Sequence, residues 1–169
     1  MKKRLWIPAL ALCVGSAALA RSEARPDGGA SPAAPEALEL GSKVDADLTL
    51  TDLDGKKLSF KELRGKVVFI HFWSKDCPYE KVADPKVQSL EKLWAGKDVA
   101  VIAIDSNVTE IGPQAPEDPS KGYAAIRKHL KDTGMQHRVF ADHGNVVADL
   151  FGAQHTPHCF VLNKEGVLV

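Results

Sequence analysis

Cysteine is scarce in this chain: three residues in 169, at Cys13, Cys77 and Cys159. An exported domain built on a disulfide framework carries more, at regular spacing, so that class is excluded. No sign of charge dominates. Lys and Arg number 22, Asp and Glu 22, for a formal net charge of +0. A balanced chain projects no large field of one sign, which argues against a nucleic-acid partner. The apolar run Leu5 to Ala20 falls short of the about 20 residues that a membrane helix needs.

What is present suits one globular domain with extras. Hydrophobic residues make up 44% of the chain, an ordinary content that supports a core. Lys2, Lys3 and Arg4 precede the apolar run, and Ala18-Leu19-Ala20 ends it with a small-x-small pattern. That layout predicts a secretory signal peptide over residues 1–20, cleaved near Ala20. A retained N-terminal anchor is the alternative, and the one route by which this chain would meet a membrane. Cys13 lies inside the run. Leu12 before it is not the small residue a lipoprotein site wants, so Cys13 goes with the discarded segment. Residues 21–39, rich in Pro, Ala, Gly and Ser, read as a flexible linker. The domain is expected over residues 40–169, in a secreted or periplasmic protein.

Within the domain, Asp47 to Leu53 alternates apolar and polar residues, and Asp54-Gly55 then Lys56 to Phe60 complete a hairpin. A helical turn, Lys61 to Arg64, stops at Gly65. Val67 to Trp73 suits a strand buried on both faces. From Tyr79 the period is helical, with Ala83, Val87, Leu90 and Trp94 on the inward side. Pro78 fits the first helical position, which makes Cys77 the N-cap; Pro85 kinks the helix. Val99 to Ile104 is a second buried strand. Ser106 to Pro119 holds three prolines and reads as a long loop that covers the site or contacts a partner. Ser120 caps a helix to Thr133, ended by Gly134. A short strand at Val139-Phe140, a helix from Asn145 to Phe151, a break at His155-Thr-Pro-His158 and a strand from Cys159 to Leu162 follow. After a turn at Lys164-Glu-Gly166, Val167 opens a further strand that looks cut short. The order implies an α/β domain with a mixed sheet flanked by helices.

Phe72-Trp-Ser-Lys-Asp-Cys-Pro-Tyr-Glu80, with Pro85 eight residues after Cys77 and Thr156-Pro157 opening a late strand, resembles the thioredoxin-like superfamily. The exported redoxin and thiol-disulfide oxidoreductase branch, which reads Phe-Trp-x-x-x-Cys-Pro-x-Cys, is the nearest in pattern. The resemblance implies a thioredoxin-like fold, a redox-active Cys77, and a cis Pro157 beside it. It departs at Glu80, which replaces the second cysteine and cannot attack a mixed disulfide. Peroxiredoxins offer a second comparison. Ser74 matches their hydroxyl residue three before the cysteine; Ile70 and Pro157 stand where they carry a proline and an arginine. One feature of three argues against fast peroxide reduction by their usual route.

The site reading therefore centres on Cys77, with Thr156 and Pro157 beside it and Ser74, Glu80 and Trp73 in support. A helix start favours thiolate and Glu80 opposes it, which leaves the net sign open. Glu80 either accepts the thiol proton or, the preferred reading, serves as a first-turn carboxylate. Trp73 and Tyr79 bracket the thiol; Trp94 is core. Cys159 is expected in the core rather than as a resolving thiol. His155 and His158 with Cys77 make a soft metal set as in the copper-chaperone branch, but Lys81 stands where that branch has its second cysteine. No cofactor is expected. The function expected is one-cysteine thiol oxidoreductase chemistry on a disulfide or peroxide substrate, resolved by an external thiol. A non-catalytic binding module is the alternative, and a copper carrier the next.

Overall fold

A computed structural model describes residues 36–169; the expected signal peptide and residues 21–35 of the expected linker lie outside the described residues. Among the described residues no helix is long and apolar enough to cross a membrane.

The central sheet has four strands in the order β5-β4-β3-β6. They are β3 (Val67–Phe72), β4 (Val99–Asp105), β5 (Arg138–Ala141) and β6 (His158–Leu162). β4 runs parallel to β3 and β5, while β6 is antiparallel to β3, pairing Phe72 with His158 and Val68 with Leu162. The hairpin β1 (Thr49–Thr51) and β2 (Lys57–Ser59) forms a separate two-stranded sheet. Its turn takes Gly55 to φ 80°, a conformation that glycine adopts without a Cβ clash. Asp52 locks the turn by accepting the Asp54 and Lys56 amides at 3.0 and 2.8 Å, and it binds Arg138 on β5. That contact draws the Asp52 carboxyl below its usual range against the opposing effect of burial.

Both faces of the sheet are covered, as the continuous apolar run of β3 predicts. On one face Val68, Ile70, Phe72, Ile104 and Leu162 pack with Leu50 and Phe60 of the hairpin region and with Phe151 of α4 (Val146–Phe151). Each such side chain contributes roughly 1.5–3 kcal/mol through burial. On the other, Ala103 and Val139 meet Ile126 of α3 (Ala124–Thr133), and Phe69 meets Trp94 of α1 (Glu80–Trp94) at 5.7 Å between rings. The last residues join the fold, with Leu168 bridged to Leu162 and 3% exposed. At the other end the Leu38 amide donates to the Leu150 carbonyl.

Several local expectations need correction. The residue Tyr79, not Cys77, is the N-cap of α1, because a separate turn closed by the Glu80 amide on the Cys77 carbonyl comes first. The stretch Ser106 to Pro119 is no bare loop. It holds α2 (Val108–Ile111), whose N-cap Asn107 accepts from the Thr109 amide. Ser120 caps nothing; it sits in a 3-10 turn capped by Asp118, and α3 starts only after Tyr123, in a left-handed conformation at φ 57°. Cys159 is exposed rather than core. It lies on β6, the edge strand of the sheet, opposite His71 of β3.

Candidate functional site

Cys77 lies in the turn between β3 and α1 and is partly buried. Its thiol donates to the Thr156 carbonyl at 3.0 Å, and its amide to the Ser74 carbonyl at 3.2 Å. The Thr156-Pro157 bond is cis. Cys77, Thr156 and Pro157 are thus brought together by the end of β3 and the start of β6. Next to Thr156 a cleft of about 230 Å³ is lined by Ser74, Ser106, Asn107, Asn145, His155 and apolar neighbours. Tyr79 is exposed beside it in sequence.

Glu110 of α2 organises the approach to Cys77. Its carboxylate accepts from the Ser74 hydroxyl, the Lys75 amide at 3.0 Å, the Asp76 amide at 3.2 Å and the Asn107 side chain at 2.9 Å. Below it lies Asp105, fully buried at the end of β4, accepting the Asn107 amide at 2.8 Å. Burial, reinforced by the charge of Glu110, pushes the Asp105 carboxyl up to about 8. Among the described residues its second oxygen has no hydrogen-bond partner.

Trp73 is not where the sequence placed it, and Glu80, although in the first turn of α1, is buried. Trp73 is 0% exposed, so it does not wall the thiol; its indole N–H donates to Asp84 at 3.0 Å. Glu80 is 2% exposed and turns away from solvent toward His71 of β3, with Oε2 3.2 Å from the imidazole Nε2. It is a first-turn carboxylate of α1, though a buried one, and it does not accept from the thiol, which bonds Thr156 instead. Asp84, one turn on, completes a buried group of three donors. Burial and then the Glu80 charge push the Asp84 carboxyl up, against the pull of the Trp73 hydrogen bond. Trp94 is only partly buried.

The copper set, the least favoured alternative from the sequence, does not assemble. Among the described residues Cys77, His155 and His158 form no donor cluster. His155 and His158 stack on each other at 4.6 Å between rings, and His155 turns its Nδ1 to the Pro157 carbonyl. Burial, then the neighbouring His155, lower the His158 imidazole below its usual value. Cys159 is free, and burial of its sulfur followed by the Glu80 charge raises its thiol, although the residue as a whole is exposed.

Sequence reasoning passed over His71, Asp84, Asp105, Asn107 and Glu110. His71 was visible as the one ionisable residue in an apolar strand. Asn107 and Glu110 stand three apart, the spacing of a helix-start capping pair.

Residues 41–169 match the AhpC/TSA family, and the chain belongs to it. It is similar to the thiol-disulfide oxidoreductase ResA of Bacillus thuringiensis (strain Al Hakam), at 30% identity over 135 residues, covering 79% of this chain and 69% of the relative. Among solved structures it resembles a Neisseria meningitidis protein provisionally assigned as a thioredoxin, with 30% identity, a TM-score of 0.60 and coverage of 76% and 77%. The thioredoxin domain of a Bacteroides vulgatus thiol-disulfide oxidoreductase shares the fold, with a TM-score of 0.59, 19% identity and coverage of 79% and 87%. The chain is a thioredoxin-fold protein of the redoxin branch.

Proposed function

We propose, on the premise of that family membership, that the protein is an exported thiol-disulfide oxidoreductase working with one cysteine. The observation that carries the reading is the Cys77 thiol at the β3–α1 turn, bonded to the Thr156 carbonyl, with a buried Glu80 where a second thiol would stand. In the reaction the Cys77 thiolate attacks one sulfur of a substrate disulfide. A mixed disulfide forms and the other substrate sulfur leaves as thiolate. An external thiolate then attacks the mixed disulfide and returns Cys77 to its reduced form. Thr156 and Pro157 position the substrate chain, Ser74 shapes the cleft, and Glu110 holds the 74–76 backbone. Export is supported by the basic, apolar and small-residue order of residues 1–20.

A binding module is the second reading, favoured by the cleft of about 230 Å³ beside Thr156, whose polar lining carries no carboxylate or ammonium group. One experiment separates the two. The protein is incubated with a peptide containing a single disulfide, and mixed disulfides are trapped by acid and read by mass. Oxidoreductase chemistry requires adduct formation at Cys77, loss of the adduct in Cys77→Ser, and retention in Cys159→Ser. Peptide binding that survives Cys77→Ser, with no adduct in the parent protein, leaves the binding module.

A further inference from the structure

Beneath the Cys77 turn, three ionisable side chains meet where water does not reach. His71 is 0% exposed, Glu80 2% and Asp84 7%. One donor atom from each lies within 4.8 Å of the others. Asp84 has a partner in Trp73, but among the described residues both Glu80 oxygens and both His71 nitrogens have no aligned hydrogen bond. Buried charges without aligned hydrogen bonds are strongly unfavourable, so two carboxylates facing one imidazole call for further positive charge.

The arrangement of Nε2 and Oε2 is informative. They stand 3.2 Å apart, yet the imidazole N–H direction does not point along the line between them. Two atoms bound to the same tetrahedral ion at about 2.1 Å are separated by about 3.4 Å, without pointing at each other. The pair fits a shared cation better than a hydrogen bond. One imidazole and two carboxylates form a donor set suited to zinc and its neighbours, harder than the thiolate-rich sites that select copper(I).

We infer that His71, Glu80 and Asp84 are the protein ligands of one divalent transition-metal ion of the zinc class. The ion binds Nε2 of His71 and oxygens of Glu80 and Asp84, leaving a fourth position for water. It fastens the middle of the sheet to the first turns of α1, next to the turn that carries Cys77. The thiols take no part in it.

The test uses the untagged full chain, stripped with chelator and shown by circular dichroism to stay folded. Zinc is titrated against a chromogenic chelator. Uptake of about one zinc per chain is expected. Glu80→Gln and Asp84→Asn, each close in volume to the parent residue, should weaken it by roughly 100-fold or more. The double variant Cys77→Ser, Cys159→Ser and the double variant His155→Ala, His158→Ala should bind as the parent does. Cobalt in place of zinc should show ligand-field bands without a thiolate charge-transfer band. The inference is overturned by absence of uptake in a folded parent protein, by uptake that survives both carboxamide variants, by loss of uptake in either control, or by a thiolate band with cobalt. If a carboxamide variant does not fold, the cobalt spectrum of the parent and the two controls decide the matter.

Discussion

Two glutamates flank the Cys77 turn and are handled in opposite ways. Glu110 reaches in from α2 and finds donors on every side: the Ser74 hydroxyl, two backbone amides and the Asn107 amide. Glu80 sits at the head of α1, more deeply buried, and finds no aligned donor among the described residues. The satisfied carboxylate acts as a clamp, because each amide it holds fixes one peptide plane of the turn. The unsatisfied one is unfavourable as it stands and needs something further to offset its burial. A carboxylate near a reactive thiol is thus no single kind of object; its donors decide what it does.

The largest effect expected on the Glu110 side comes from Asp105, the buried carboxyl at the end of β4. Its folded value of about 8 stands above the unfolded value of about 3.9, so the folded state holds the extra proton across that interval. Stability is then full below pH about 4 and falls as pH rises toward 8, by up to about 1.4 kcal/mol per pH unit and a few kcal/mol in all. Asp105→Asn, which imitates the protonated form, should remove this dependence. Urea denaturation at pH 5 and pH 8.5 checks it, and the same change in stability between the two pH values for parent and variant would rule out the raised Asp105 carboxyl.

Next in size is the clamp. Glu110→Ala should cost roughly 2 kcal/mol in urea denaturation, since charge-assisted bonds to two amides are lost. It should also slow mixed-disulfide formation at Cys77, while Glu110→Gln keeps part of both. A variant that loses stability but reacts at the parent rate would confine Glu110 to a structural role. The smallest effect belongs to the opposite side. Trp73→Phe keeps a large ring but withdraws the donor from Asp84, and should cost about 1 kcal/mol. An unchanged denaturation midpoint would show that Asp84 finds another donor, which would narrow the contrast between the two sides.

Much of the frame was readable from residue pattern. The apolar run of β3, the Asp54-Gly55 turn, Pro85 inside α1 and the break at Thr156-Pro157 all stand where the sequence places them. The interior of the site was not readable, and the reason is physical. Choosing the buried face of α1 by hydrophobicity selects Ala83, Val87, Leu90 and Trp94. The face that packs is turned slightly, to Glu80, Asp84 and Val87. Both stripes have helical spacing and share Val87, so periodicity alone cannot choose between them. Charged residues are assigned to water by default, and this helix buries two. The Glu110 clamp was hidden differently: it joins positions 34 to 36 apart, and no local pattern reports such a contact.

The hydrogen bond from Cys77 to Thr156 closes a span of 79 residues. Closing so long a loop is entropically expensive, and non-local pairings of this kind slow folding. The thiol finds its acceptor only when the strand after Thr156 has docked on β3. A chain still emerging from its point of synthesis carries this sulfur unsheltered until most of the domain has been made.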